Sequence, residues 1–193
     1  MNNVYKVVTA VLVAVATVGP AGAHITPPVH LVSDRDAVVG LLAGARRFFV
    51  REVRLTAAEQ QKIRQEIRWT PEEGFYRFYI GRDEQSRVVA AAVFLTEFTI
   101  HGPVRVAVAL GPDGKVKGAT VVELTEETYP WVKPLLDRDF TRSYIGRDAR
   151  GPFTVSAGGG ASMAQFYGEI IAKVIQRAAA LYEAGILKRG DAA

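Results

Sequence analysis

The sequence contains no cysteine, and that absence excludes disulfide bonds, a cysteine nucleophile, thiolate metal sites and c-type haem attachment. Histidine is nearly as scarce. His24, His30 and His101 are the only three, too scattered for a standard zinc site. No hydrophobic run is long enough for an ordinary membrane span: the clearest, Val7 to Val18, would rise about 18 Å as a helix against a hydrocarbon core of roughly 30 Å. The 24 Lys and Arg against 20 Asp and Glu give a net charge of +4, but the basic residues are spread along the chain. Nucleic-acid recognition would need a basic cluster interleaved with aromatics, and the sequence has none. What is present is 193 residues, 49% hydrophobic and 23% charged without a long polar run, enough for one domain with a full core.

Lys6 precedes the Val7–Val18 run, Gly19-Pro20 breaks it, and Ala21-Gly22-Ala23 supplies the small residues a signal peptidase accepts. The pattern predicts a secretory signal over residues 1–23, cleaved before His24. An uncleaved N-terminal anchor is the alternative, and either places the domain outside the cytoplasm.

Beyond the stiff Pro27-Pro28 lead-in, Ser33 and Asp36 form a capping-box signature that opens a helix expected from Asp34 to Val50. Val38, Leu41, Leu42, Ala45, Phe48 and Phe49 supply its apolar spacing. Thr56 and Glu59 repeat the signature for a polar helix to Ile67. Then the period changes from helical to alternating. Phe75–Ile80, Val88–Phe98, Val104–Leu110 and Val116–Leu124 are rich in β-branched and aromatic residues, and short links join them. Four such runs predict an antiparallel meander, with Val104, Val106, Val108 and Leu110 on one buried face. Gly111-Pro112-Asp113-Gly114 makes the tightest link. Short helical turns are expected at Val132–Leu136 and Asp139–Tyr144. The last helix is the clearest element: Met163, Phe166, Tyr167, Ile170, Ile171, Val174, Ile175, Ala178 and Leu181 form an unbroken stripe, with Gly185 as its expected stop. Residues 188–193 read as a frayed tail.

Ser156-Ala157-Gly158-Gly159-Gly160-Ala161-Ser162 runs directly into that helix. Three glycines let backbone N–H groups converge, and the helix start adds unpaired donors and the positive end of its dipole, together a phosphate cradle. It is neither a Walker loop nor a dinucleotide fingerprint nor a nucleophile elbow. The competing reading is structural, since Ser162 with Gln165 is itself a capping box. Tyr129 and Trp131 suit stacking on a flat aromatic ligand or packing under the hairpin. Tyr167 faces the core stripe, and His101 reads as a turn residue.

Three features taken together resemble the FMN-binding domain family, which includes exported flavin-carrying subunits of ion-pumping NADH:quinone and ferredoxin:NAD oxidoreductases. Asp113-Gly114-Lys115-Val116-Lys117-Gly118, followed by Val121-Val122-Glu123-Leu124, is similar to that family's central turn and strand. Glu127-Thr128 falls where the family has a Glu-Thr loop against the flavin. Gly160-Ala161-Ser162 resembles the end of its Asp-x-x-Ser-Gly-Ala-Thr motif, with Ser162 in place of the acceptor threonine, Ser156 in place of the acidic residue and Gly159 in place of the inner serine. The resemblance spans Phe75 to Leu181. It implies FMN bound at Gly159, Gly160, Ala161, Ser162, Glu127 and Thr128, either covalently through a phosphoester on Ser162 or noncovalently, with Gly158 of the cradle beside them and with Tyr129 and Trp131, which stand where the family has Pro-Gly-x-Gly, as stacking candidates. It also implies a flavin transferase for maturation and a redox partner protein or membrane electron-transfer complex.

The expected fold is α+β, a twisted and mainly antiparallel sheet with the C-terminal helix across one face. An N-terminal helical pair within residues 24–74 precedes the FMN-binding-like domain of residues 75–187. The leading functional expectation is an extracytoplasmic FMN electron carrier, more a redox-complex subunit than a stand-alone enzyme. A flavin-free exported binding or structural subunit is its rival, and a flavin enzyme acting on a small substrate is a third reading.

Overall fold

The meander forms the centre of the molecule. In the computed structural model, which describes residues 26–72, 74–148 and 162–189, strands β3 (Tyr76–Arg82), β4 (Val88–Thr99), β5 (Gly102–Leu110) and β6 (Val116–Thr125) pair antiparallel in chain order. Two strands from the N-terminal segment extend it on both sides. β1 (Pro28–His30) pairs with β6 and β2 (Arg47–Val53) with β3, giving the order β1-β6-β5-β4-β3-β2. The class is α+β. The residues of the expected signal segment and of the Ser156–Ala161 loop lie outside the described residues.

The N-terminal segment departs from expectation. Both helices exist: α1 (Asp34–Leu41) is capped by the Ser33 hydroxyl, and α2 (Ala57–Ile67) by a full capping box between Thr56 and Glu59. But α1 ends at Leu41 rather than Val50. Gly44 takes a φ of +94°, which continues no right-handed helix, and the aromatic, β-branched run after it pairs with β3. Phe48 and Phe49, assigned to a buried helical stripe, are instead 47% and 49% exposed on that strand. The two helices do not pair with each other. α1 lies on one face of the sheet, while Ile63 of α2 joins the core on the other.

That second face carries most of the core. Phe78, Val93, Val104, Val106, Val108 and Leu110 meet Ile171, Ile175, Ala178, Leu181 and Tyr182 of α4 (Met163–Tyr182). Each large side chain buried there is worth about 1.5–3 kcal/mol. The α1 face is thinner: Ala90, Ala92, Ala107 and Ala109 let Ala37, Val38 and Leu42 approach closely. The alternation of β5 therefore does not mark one dry and one wet face, because Val106 to Leu110 are all fully buried. The small residues at apparently outward positions are the seat of α1.

Gly185 does not stop the last helix. The chain continues through a π-helical turn, Glu183–Leu187, and a Cβ at Gly185 would collide with the side chain of Val53. Close approach, not a terminator, explains the glycine. Lys188 and Arg189, expected to begin a frayed tail, are tied to Glu183 at 2.6 Å and Glu59 at 2.6 Å. Among the described residues, no helix is long and apolar enough to cross a membrane.

Candidate functional site

Three chain segments converge at one end of the sheet. The β4–β5 turn closes through Gly102, whose φ of +101° suits glycine and whose Cβ would fall 2.5 Å from the Thr125 methyl. That close approach lets the Thr125 hydroxyl donate to the His101 carbonyl at 2.9 Å. The Thr99 hydroxyl donates to the Gly102 carbonyl at 2.8 Å and accepts the His101 N–H at 3.1 Å. On the other side, the Thr125 N–H donates to the Thr128 hydroxyl at 3.1 Å, which pins the start of α3 (Tyr129–Leu136) to the end of β6. Threonine hydroxyls tie these turns together.

An aromatic column stands on that frame. The His101 ring meets Trp131 edge-on at 5.0 Å between centroids, and Trp131 stacks on Tyr167 of α4 at 5.8 Å with only 23° between planes. Phe166 abuts Tyr167 at 5.3 Å and is half exposed. Since Thr99 spends its proton on Gly102, the Tyr167 hydroxyl donates to Thr99 across 3.3 Å. Burial pushes the Tyr167 phenol above its ordinary value; the Thr99 bond opposes this and the nearby Glu127 charge reinforces it. The phenol therefore stays protonated at neutral pH. His101 Nδ1 lies 2.8 Å from Glu127 Oε1, and the Thr26 hydroxyl donates to the other oxygen of Glu127 at 3.5 Å.

Ser162 is exposed and caps α4, its hydroxyl accepting the Gln165 N–H at 3.2 Å. It precedes Tyr167 by about 7.5 Å along the helix axis, at 1.5 Å per residue. The first-turn N–H groups beside it have no partner within the helix, and they carry the positive end of its dipole.

Of the residues singled out from sequence, Glu127 and Trp131 come together through His101, and Trp131 reaches α4 through Tyr167. Thr128 belongs to the frame instead. It is fully buried and its hydroxyl is engaged with Thr125, so it presents nothing to a ligand. Tyr129 turns the other way, into a groove of about 290 Å³ shared with Leu31, Lys133 and Phe140. Gly158, Gly159, Gly160 and Ala161 lie outside the described residues. Sequence reasoning missed His101 and Thr99 as partners in this cluster. It placed Tyr167 in the core, where it is, without its stacking role. A threonine and a histidine flanking a tight turn show no periodicity, so only the fold reveals what they face.

A groove of about 460 Å³ lies elsewhere, between the end of β4 and Trp69. Its arginines are already engaged: Arg177 with Glu97 and over the Trp69 ring at 5.3 Å, Arg105 with Asp34, and Arg77 with Glu52. No group of His, Asp or Glu among the described residues could hold a metal ion. A scan of protein-family models finds no match to this chain, and neither does a search of curated proteins.

Proposed function

We propose that the protein is an extracytoplasmic electron carrier that binds FMN at the start of α4, with its phosphate at the Gly158–Ser162 segment and its ring system toward Trp131. The observation that carries the reading is the near-parallel Trp131–Tyr167 stack just beyond an exposed serine at a helix N-terminus. That donor set fits the group: a hydroxyl and helix-end N–H groups for a phosphate, and the half-buried Trp131 ring for a flat cofactor. When bound, FMN supplies the redox chemistry.

The chain's own residues supply position and environment. Ser162 Oγ is the anchoring atom, through a phosphoester made by a flavin transferase or through a hydrogen bond. Trp131 limits water at one side of the ring, and Tyr167, buried and held by its Thr99 bond, backs Trp131 from the core. The His101–Glu127 pair holds a proton at Nδ1 between imidazole and carboxylate, next to Trp131. Phe98 and Ile100, 77% and 93% exposed near the same turn, offer an apolar contact for a redox partner protein or membrane electron-transfer complex. In the rival reading, a flavin-free exported binding or structural subunit, those two residues carry partner binding alone.

The test is co-expression with a flavin transferase in an exporting host, followed by denaturing gel electrophoresis and in-gel flavin fluorescence. Wild type and Ser162→Thr are expected to fluoresce, and Ser162→Ala to be dark though folded. A dark wild-type band on yellow native protein would leave noncovalent FMN. Colourless protein throughout would overturn the reading in favour of the flavin-free subunit.

A further inference from the structure

The two edges of the sheet are built differently. β1 closes one side with three residues, and Pro27 and Pro28 remove backbone donors there, a usual guard against strand addition. β2 closes the other side with seven residues, Arg-Phe-Phe-Val-Arg-Glu-Val, of which Arg47 to Glu52 are all exposed. No other strand among the described residues pairs with its outer side. It carries no proline, and three of its exposed residues are large and apolar: Phe48, Phe49 and Val50, at 47%, 49% and 58%. Beside it, Val39 of α1 is 52% exposed and shares an apolar groove with Phe48.

We infer that β2 is a self-association edge, which pairs antiparallel with β2 of a second copy and joins the two sheets into one. The charges select the partner and the register. A two-fold axis normal to a sheet keeps each side chain on its own face, so paired residue numbers must have an even sum. Centring the axis on Val50 overlaps the whole strand and sets Val50 against Val50, Phe49 against Arg51, Phe48 against Glu52 and Arg47 against Val53. No like charges meet, and each Arg51 guanidinium reaches a Phe49 ring, a favourable cation–π arrangement. Moving the axis to Phe49 sets Arg47 against Arg51, and moving it to Arg51 sets two arginines face to face. The strand is complementary to itself in one register and repels itself in the neighbouring ones. A single strand edge buries less than a standard interface, so the dimer is weak and dependent on concentration.

The absence of native cysteine makes the test clean. Val50→Cys sits on the proposed axis, where two copies meet within disulfide range. Glu52→Cys is equally exposed but two residues off the axis, so its copies lie about 13 Å apart, beyond bridging. Under mild oxidation, Val50→Cys should form a reducible covalent dimer and Glu52→Cys should not. Sedimentation of the unmodified chain should show a monomer–dimer equilibrium that Val50→Lys abolishes without changing the melting temperature, and mixing Val50→Lys with Val50→Glu should restore it. Equal cross-linking of both cysteine variants, or a wild type that stays monomeric as concentration rises, would overturn the inference.

Discussion

Two tyrosines sit near opposite ends of α4, both fully buried, and they do different things. Tyr167 has its hydroxyl bonded to Thr99 and its ring on Trp131, among exposed neighbours such as Ser162 and Phe166. Tyr182 has its ring 6.2 Å from Phe78, and its hydroxyl has no hydrogen-bond partner. Burial pushes its phenol up to about 12, with the Asp113 charge adding to the effect. At the first end every polar atom of the tyrosine is accounted for and the surroundings are turn, cap and ring. At the second the helix spends a polar group for the sake of packing. One helix thus carries the candidate site at its start and core packing at its finish.

Substitutions at the two ends should separate accordingly. Phe78→Ala, at the core end, should cost the most, about 3–5 kcal/mol in urea unfolding. Gly185→Ala should cost about 1–3 kcal/mol by forcing Val53 aside, in the same assay. Trp131→Ala should cost clearly less than Phe78→Ala while altering the absorption of bound flavin. A loss equal to that of Phe78→Ala with an unchanged flavin spectrum would make Trp131 a core residue and erase the contrast. Ser162→Ala should lose about 0.5–2 kcal/mol, the worth of a helix cap, in thermal unfolding.

Tyr182→Phe should be near neutral or slightly stabilising at pH 7, because it removes a buried hydroxyl with no hydrogen-bond partner. Its effect grows with pH. A phenol at 10.0 when unfolded and about 12 when folded gives stability that is whole below pH 10 and lost as pH rises through about 12. Equilibrium unfolding should therefore show a flatter alkaline limb for Tyr182→Phe than for wild type.

Much of this architecture was legible in the sequence. The four meander strands, the Thr56–Glu59 box and the α4 stripe follow from periodicity and caps, which are local signals. The failures were also local signals, overruled by tertiary ones. The spacing from Val38 to Phe49 is helical on paper, but Gly44 turns the chain and β3 offers Phe48 and Phe49 a ladder. Gly185 looks like a terminator until Val53 is seen against it. Of the candidate site, Ser162, Glu127 and Trp131 could be named from motif and residue type. The Thr99–Gly102–Thr125–Thr128 frame could not, because its Thr99–Gly102 and Thr125–Thr128 bonds are local turn contacts with no period, and only the Thr125–His101 bond, across 24 residues, brings the two turns together.

If the start of α4 anchors the flavin, peptide mapping of protein matured with a flavin transferase finds it there. Trypsin would release residues 151–173 as one fragment carrying Ser156 and Ser162. Fragmentation by mass spectrometry should place one FMN, less water, on Ser162. FMN on Ser156 or on any other peptide, or matured protein that holds no flavin either covalently or noncovalently, would overturn that anchoring.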